Sequence, residues 1–109
     1  MNPSLKLLVG VAAGVSLSAC IHYHSAVKDP AADRVRAELG QLQADPQLAN
    51  RAPQALREAE DAVTAAEVPQ KDPALSAHLV YLADRKVQTA RALAEAQVAE
   101  EQLRVLQGK

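Results

Sequence analysis

Cysteine, glycine and aromatic residues are all scarce in this chain of 109 residues. It holds one Cys, four Gly and two Tyr, and it has neither Trp nor Phe. A single cysteine excludes an intramolecular disulfide framework, and one Cys with three scattered His supplies the four ligands of structural zinc poorly. A core must therefore rely on Ala, Val and Leu, and alanine buries little apolar area. We expect a thin-cored domain without a metal or cofactor.

An excess of charge of one sign is also missing, because 12 Lys and Arg stand against 13 Asp and Glu. The sequence shows no basic stripe and no aromatic platform on which bases could stack, which argues against nucleic-acid binding. At this length the chain forms one domain at most.

The first 19 residues have the pattern of a secretory signal peptide. Residues 1–6 contain one basic side chain, and residues 7–19 (LLVGVAAGVSLSA) contain no charge. Such a run spans about 20 Å as a helix, too short for a hydrocarbon core of about 30 Å. A buried core helix is the alternative, but this run has no polar face. We therefore interpret residues 1–19 as a cleaved signal peptide.

The only cysteine closes this segment. Leu17-Ser18-Ala19-Cys20 resembles the bacterial lipobox, in which an aliphatic residue and two small residues precede a cysteine. The resemblance implies cleavage between Ala19 and Cys20, a diacylglyceryl group on the Cys20 sulfur, and acylation of the new amino group with a chain such as palmitate. Two or more acyl chains hold a protein firmly on a membrane. An ordinary signal peptide without lipid is the alternative.

The residues after the cysteine suggest a location and a tether. Lipoproteins retained in the inner membrane of enterobacteria typically carry Asp after the cysteine, and this chain has Ile21. By analogy we expect the outer membrane, facing the periplasm; the rule varies between bacterial groups, so the inner membrane stays open. Residues 20–28 are interpreted as a lipidated tether. His22 and His24 form a weak metal site without a third ligand, so an exposed tether is the preferred interpretation.

Hydrophobic periodicity predicts two short helices after the tether. The first helix is predicted over 30–44. Its apolar residues are spaced 3, 4 and 3 positions apart: Ala32, Val35, Leu39 and Leu42. The second helix is predicted over 53–67, with these residues on one side: Leu56, Ala59, Val63 and Ala66.

Asp-Pro steps mark where elements begin. Asp is a good N-cap and Pro fits the first helical position, so Asp29-Pro30 and Asp72-Pro73 are expected to start helices. Asp45-Pro46 is expected to begin the turn after the first helix. The third helix then runs without Gly or Pro until Gly108 and is much the longest.

The third helix is expected to pack on the other two through one wide stripe. The stripe consists of Leu75, Leu79, Leu82, Ala83, Ala90, Leu93 and Ala94, with Val80, Val87 and Val98 on its edge. From the helix lengths, we expect the first two helices to cover the third only as far as about Leu93 or Ala94. This leaves residues 97–106 without an intramolecular neighbour. The predicted fold is an all-α, up-down-up three-helix bundle or hairpin with a long third helix, over residues 29–109.

A second apolar pattern follows along the third helix. Five residues repeat at spacings of 4, 3, 4 and 3: Ala92, Ala96, Ala99, Leu103 and Leu106. A repeat of 3.5 residues is typical of a coiled-coil seam. We therefore predict self-association or binding of a helical envelope protein through these residues. An alanine-rich helix without a partner is the alternative.

Two segments carry a family resemblance. Residues 52–63 (APQALREAEDAV) and 77–103 (AHLVYLADRKVQTARALAEAQVAEEQL) resemble the family called domain of unknown function 4398. In that family the helical unit often lies behind a lipobox and before an outer membrane protein A-like domain that binds peptidoglycan. This sequence stops at Gly108-Lys109, where such a domain would begin, so the resemblance does not imply peptidoglycan binding by that route.

Groups suited to catalysis are sparse. Cys20 is assigned to lipid, His78 is predicted at the boundary of the third helix, and the neighbouring Glu100 and Glu101 point about 100° apart. We expect no enzymatic activity.

Two functions remain as hypotheses, a helical spacer or adaptor lipoprotein and a periplasmic lipoprotein that binds a small molecule or metal. The few aromatic and convergent polar residues favour the first hypothesis. The chain ends in Lys109, as the major murein lipoprotein ends in a lysine joined to peptidoglycan, which suggests the same attachment as a further hypothesis.

Overall fold

The computed structural model of the protein describes residues 25–108. It contains three helices: α1 (Pro30–Ala44), α2 (Pro53–Glu67) and α3 (Pro73–Gln107). Between residues 25 and 108 there is no β-strand, only one isolated bridge. The predicted all-α fold with a long third helix is confirmed. The predicted signal peptide and its cleavage site at Ala19 and Cys20 lie outside the described residues.

Capping explains where the helices begin. The carboxylate of Asp29 accepts a hydrogen bond from the Ala31 amide at 2.9 Å, and that of Asp72 accepts one from the Ala74 amide at the same distance. Each Asp is followed by a proline, whose missing N–H would have no partner in the first turn. Asp45 instead follows α1 and its carboxylate accepts from the Gln47 amide, which begins the turn, as predicted.

Ion pairs and hydrogen bonds between the helices define an up-down-up order. Arg36 pairs with Glu67 and Gln43 with Glu60, so α2 runs antiparallel to α1. Side chains of α1 meet α3 at a constant offset of 50 positions, in the pairs Arg34–Asp84 and Glu38–Gln88. A constant offset means that α1 and α3 are parallel. The long helix therefore packs along both short ones.

The core is built from aliphatic side chains only, with Leu39, Leu42, Val35, Val63 and Val87 as its largest fully buried members. Each such side chain stabilises the fold by about 1.5–3 kcal/mol when it leaves water. Alanines fill the spaces between them: Ala32, Ala59, Ala66, Ala83, Ala90 and Ala94. Small side chains allow the helices to approach closely, so this thin core is still continuous.

The buried face of α3 is rotated from the predicted stripe. Its buried residues are Ser76, Val80, Ala83, Val87, Ala90 and Ala94, at spacings of 4, 3, 4, 3 and 4. Leu75, Leu82 and Leu93 are 44%, 41% and 49% exposed, so the prediction that they lie in the packed stripe was wrong. The reason is steric: α1 contributes leucines at the centre, and large residues pack best against small ones. Val80 and Val87, two of the valines predicted at the edge, are therefore buried in the stripe.

The bundle covers more of α3 than the helix lengths predicted. Residues 45–52, between α1 and α2, lie beside α3 well beyond Ala94. Arg51 of this turn forms an ion pair with Glu101, and Val98 is half-buried. The prediction that α3 is covered only to about Ala94 was wrong, because it considered α1 and α2 and left out the turn between them. The uncovered part of α3 is shorter, and we call residues 102–107 the α3 tail.

The last residues of the predicted tether are docked on the bundle. Val27 donates its amide to the Gln70 carbonyl at 3.2 Å, and Gln70 donates back to the Val27 carbonyl at 3.3 Å. Lys28 also forms an ion pair with Asp33 in the first turn of α1. The chain therefore becomes fixed before α1 begins.

Candidate interaction surface

The predicted seam residues lie on the outer face of α3. Ala92, Ala96, Ala99, Leu103 and Leu106 are all exposed, and we call them the outer seam. At about 100° per residue, the centre of this set lies about 160° from the centre of the buried stripe. The structure therefore brings the five residues together on one side of α3, and that side points away from α1 and α2.

The α3 tail is the most apolar exposed stretch of this helix. Leu103, Val105 and Leu106 are 56%, 61% and 68% exposed. Val105 lies seven residues after Val98 and therefore continues the direction of the buried stripe, whereas the two leucines belong to the outer seam. The tail thus presents apolar side chains on opposite sides, with no helix of the bundle covering either side. Exposed residues of this kind mark interaction sites when they are contiguous.

A groove joins the tail to the turn between α1 and α2. Its volume is about 560 Å³, and its walls are formed by Gln47, Arg51, Val98, Glu101, Gln102, Val105 and Leu106. Arg51 is held from two sides, because its guanidinium pairs with Glu101 and its Nε donates to the Gln47 carbonyl at 3.1 Å. The groove therefore has an apolar floor on α3 and a charged rim fixed by the turn.

Sequence reasoning missed the groove. Val105 carried a usable signal, since it stands at the heptad interval from Val98. Arg51 carried none, because nothing in its local sequence indicates a contact with a residue fifty positions away.

The shifted pKa values belong to ion pairs that hold the bundle together. Arg36 donates from Nε and Nη2 to the two carboxylate oxygens of Glu67, at 2.9 and 2.6 Å. This two-point hydrogen bond lowers the pKa of Glu67 and raises that of Arg36. In the same way, the hydrogen bond from Lys86 lowers the pKa of Glu58. These groups connect helices and lie outside the outer seam and the groove, so we assign them to stability.

The described residues offer little to a metal ion. Within residues 25–108, no three His, Cys, Asp or Glu side chains lie close enough together to hold one. His78 is exposed, and Glu100 pairs loosely with Arg104 at 3.8 Å. The predicted lipid site Cys20 lies outside the described residues, as do His22, His24 and Lys109. In the same described part, no helix is both long and apolar enough to span a membrane.

A second, smaller cavity lies where the docked tether meets α3. Its volume is about 350 Å³, and Val27, Lys28, Gln70 and Ser76 are among its lining residues. The Ser76 hydroxyl is buried and has no hydrogen-bond partner in the described part of the chain. A buried hydroxyl without a partner is uncommon, so Ser76 makes this cavity a candidate site for a small polar ligand.

The molecule is thus a three-helix domain with a closed aliphatic core and an apolar outer seam on its longest helix. Residues 23–106 match the family described as domain of unknown function (DUF4398). The chain belongs to that family, and the resemblance predicted from residues 52–63 and 77–103 is confirmed. Comparisons with curated proteins and with solved structures found no match.

Proposed function

We propose that this protein is a non-enzymatic lipoprotein of the bacterial outer membrane that faces the periplasm and acts as a helical adaptor or spacer. Its outer seam and α3 tail would bind a helical envelope protein or a second copy of the chain. The observation that carries this proposal is the exposure of Leu103, Val105 and Leu106 at the end of α3, beyond Ala94, the last buried residue of that helix.

The dimensions of α3 support a spacer role. The helix has 35 residues and spans about 52 Å at 1.5 Å per residue. Ion pairs connect it to both neighbours, through Arg34–Asp84 on α1 and Glu58–Lys86 on α2. A third ion pair, Arg51–Glu101, connects α3 to the turn between α1 and α2 further along the helix. Contacts at separate heights make a helix resist bending better than an isolated helix of the same length. The tail would then be held at a fixed distance from the docked tether.

The membrane anchor in this proposal rests on the lipobox-like residues Leu17 to Cys20. Cells expressing the protein should incorporate radiolabelled palmitate into the wild type and none into Cys20→Ala. Since Cys20 is the only cysteine of the chain, its substitution removes the only thiol to which a diacylglyceryl group could be attached. Label that persists in the variant would contradict the anchor.

The adaptor role is tested by charging the outer seam. In the double variant Leu103→Glu, Leu106→Glu, we expect sedimentation to shift towards the monomer, or the partner to be lost, because two carboxylates would have to be desolvated in the interface. Helicity should fall by no more than the last turns, since both side chains are exposed.

The matched control for this experiment is the double variant Tyr81→Glu, Thr89→Glu. It adds the same charge at exposed positions of α3 outside the outer seam. Association that survives in the control and disappears in the seam variant supports the role. A wild type that is monomeric at high concentration and captures no partner in cells contradicts it.

A second candidate function is a periplasmic lipoprotein that binds a small molecule or a metal. The buried, unpartnered hydroxyl of Ser76 beside a cavity is the observation that favours it. Calorimetric titration with zinc, copper or nickel tests the metal version, and the absence of heat would remove it.

Attachment of Lys109 to peptidoglycan is a separate hypothesis, suggested by the single-residue resemblance to the major murein lipoprotein. It predicts that purified sacculi digested with lysozyme release a Lys109 peptide that carries a muropeptide. Digests without that peptide would remove the hypothesis.

A further inference from the structure

One end of the bundle gathers the beginning of α1, the end of α2 and the beginning of α3, and we call it the tether end. The up-down-up order brings these three termini together, and the bridge between Val27 and Gln70 holds the incoming chain against them. The opposite end of the molecule is the α3 tail. The two ends therefore lie about one α3 length apart, or about 50 Å.

The tether end exposes apolar side chains of its own. Val27 and Val68 are 65% and 51% exposed, and Leu75 in the first turns of α3 is also exposed. Val68 and Leu75 flank the link between α2 and α3, and Val27 is held beside that link by the bridge to Gln70. All three residues are therefore exposed at the same end of the bundle, and together we call them the apolar rim.

The charges of the tether end include two ion pairs and two capping carboxylates. Asp29 and Asp72 cap helices, Glu67 is held by Arg36, and Lys28 pairs with Asp33. Lys71 is exposed and forms no ion pair within the described residues. Asp29 and Asp72 keep their negative charge as caps, so Lys71 does not make this end cationic as a whole. Lys71 instead places one cation near exposed apolar side chains, and such a combination suits the boundary between headgroups and acyl chains.

The length of the chain before Val27 limits how far this end can lie from an anchor at Cys20. Val27 comes seven positions after Cys20, and an extended chain spans at most about 3.6 Å per residue, or about 25 Å in all. Because Val27 is hydrogen-bonded to Gln70, this limit applies to the bundle itself. An acylated Cys20 therefore keeps the apolar rim within reach of the lipid surface, whereas an upright bundle holds the α3 tail far from it.

We propose that the tether end is a membrane-contact surface, in which Val27, Val68 and Leu75 enter the headgroup region and Lys71 pairs with anionic lipid. The α3 tail then projects away from the bilayer and stays available to a partner. This inference rests on the proposed attachment of lipid to Cys20.

Single tryptophans test the proposal, because the chain contains none. Val68→Trp, Leu75→Trp and, as the control at the other end, Leu103→Trp are purified from membranes and reconstituted in vesicles of phosphatidylethanolamine and phosphatidylglycerol. We expect several-fold stronger quenching by lipids brominated near the headgroup at positions 68 and 75 than at position 103. Helicity measured by circular dichroism confirms that each variant is folded.

Two results would overturn the proposal. Tryptophans at positions 68 and 75 that stay as unquenched as the one at 103 would show that the tether end does not touch the lipid. Equal quenching at all three positions would show a bundle that lies flat. In addition, Lys71→Glu should weaken quenching at position 68 on these anionic vesicles and leave it unchanged on purely zwitterionic ones.

The test separates this inference from the proposed lipidation. Mass spectrometry of the purified protein reports the state of Cys20. If that cysteine is unmodified, the proposed anchor fails, and its free thiol is coupled to a maleimide lipid in the vesicle. The same quenching comparison then decides whether the tether end contacts the bilayer when the chain is held there.

Discussion

The two faces of α3 share one spacing and differ in what covers them. The buried stripe from Ser76 to Ala94 and the outer seam from Ala92 to Leu106 both alternate steps of 3 and 4 residues. α1 and α2 cover the first, whereas all five residues of the second are exposed. A 3.5-residue repeat therefore identifies a face able to pack against a helix, but it does not say whether that helix belongs to the same chain.

Truncation of one core leucine that packs against the buried stripe and of one leucine of the outer seam should separate the two roles most strongly. Leu39 is fully buried against α3, so Leu39→Ala should lower the free energy of unfolding by about 2–5 kcal/mol through lost burial and the cavity left behind. Leu103→Ala removes the same atoms from an exposed site and should change the free energy of unfolding of the monomer by about 0.5 kcal/mol or less. Urea titrations at low protein concentration measure both. Equal losses would mean that the tail is packed within the monomer.

A smaller effect is expected from the ion pair between α1 and α2. Replacement of Glu67 by Gln should cost about 1 kcal/mol or less, because both partners are partly exposed. Arg36 lowers the pKa of Glu67 in the folded state. The stability from this pair is therefore present above the unfolded pKa of about 4.3 and is lost as the pH falls through the lower folded value.

In Glu67→Gln, the free energy of unfolding should therefore fall less steeply than in the wild type as the pH drops below the unfolded pKa. Association through the outer seam should be unaffected. Unfolding curves at a series of pH values check this expectation. A variant with the same acid dependence as the wild type would mean that the pair does not couple to folding.

Helix boundaries could be predicted from the sequence because they depend on local chemistry. Asp29-Pro30 and Asp72-Pro73 set the starts of α1 and α3 through side-chain caps that need no tertiary contact. The outer seam could likewise be placed on one face, since its five residues follow the helical period.

Tertiary packing explains what the sequence did not reveal. Whether leucines or valines of α3 become buried depends on where the side chains of Leu39 and Leu42 on α1 pack against it. The extra cover near Glu101 depends on the path of the turn that carries Arg51. The docking of Val27 on Gln70 uses backbone groups alone, so no side-chain pattern predicts it.

The central claim is that the outer seam meets a partner while the outward face of the short helices does not. A photo-crosslinking amino acid placed in living cells at Leu103, with Asp61 as the control on the exposed side of α2, tests this most directly. The account predicts a discrete adduct at position 103 that is absent at position 61 and is lost when Leu106 is also replaced by Glu. No adduct at position 103, or the same adducts at both positions, would contradict it.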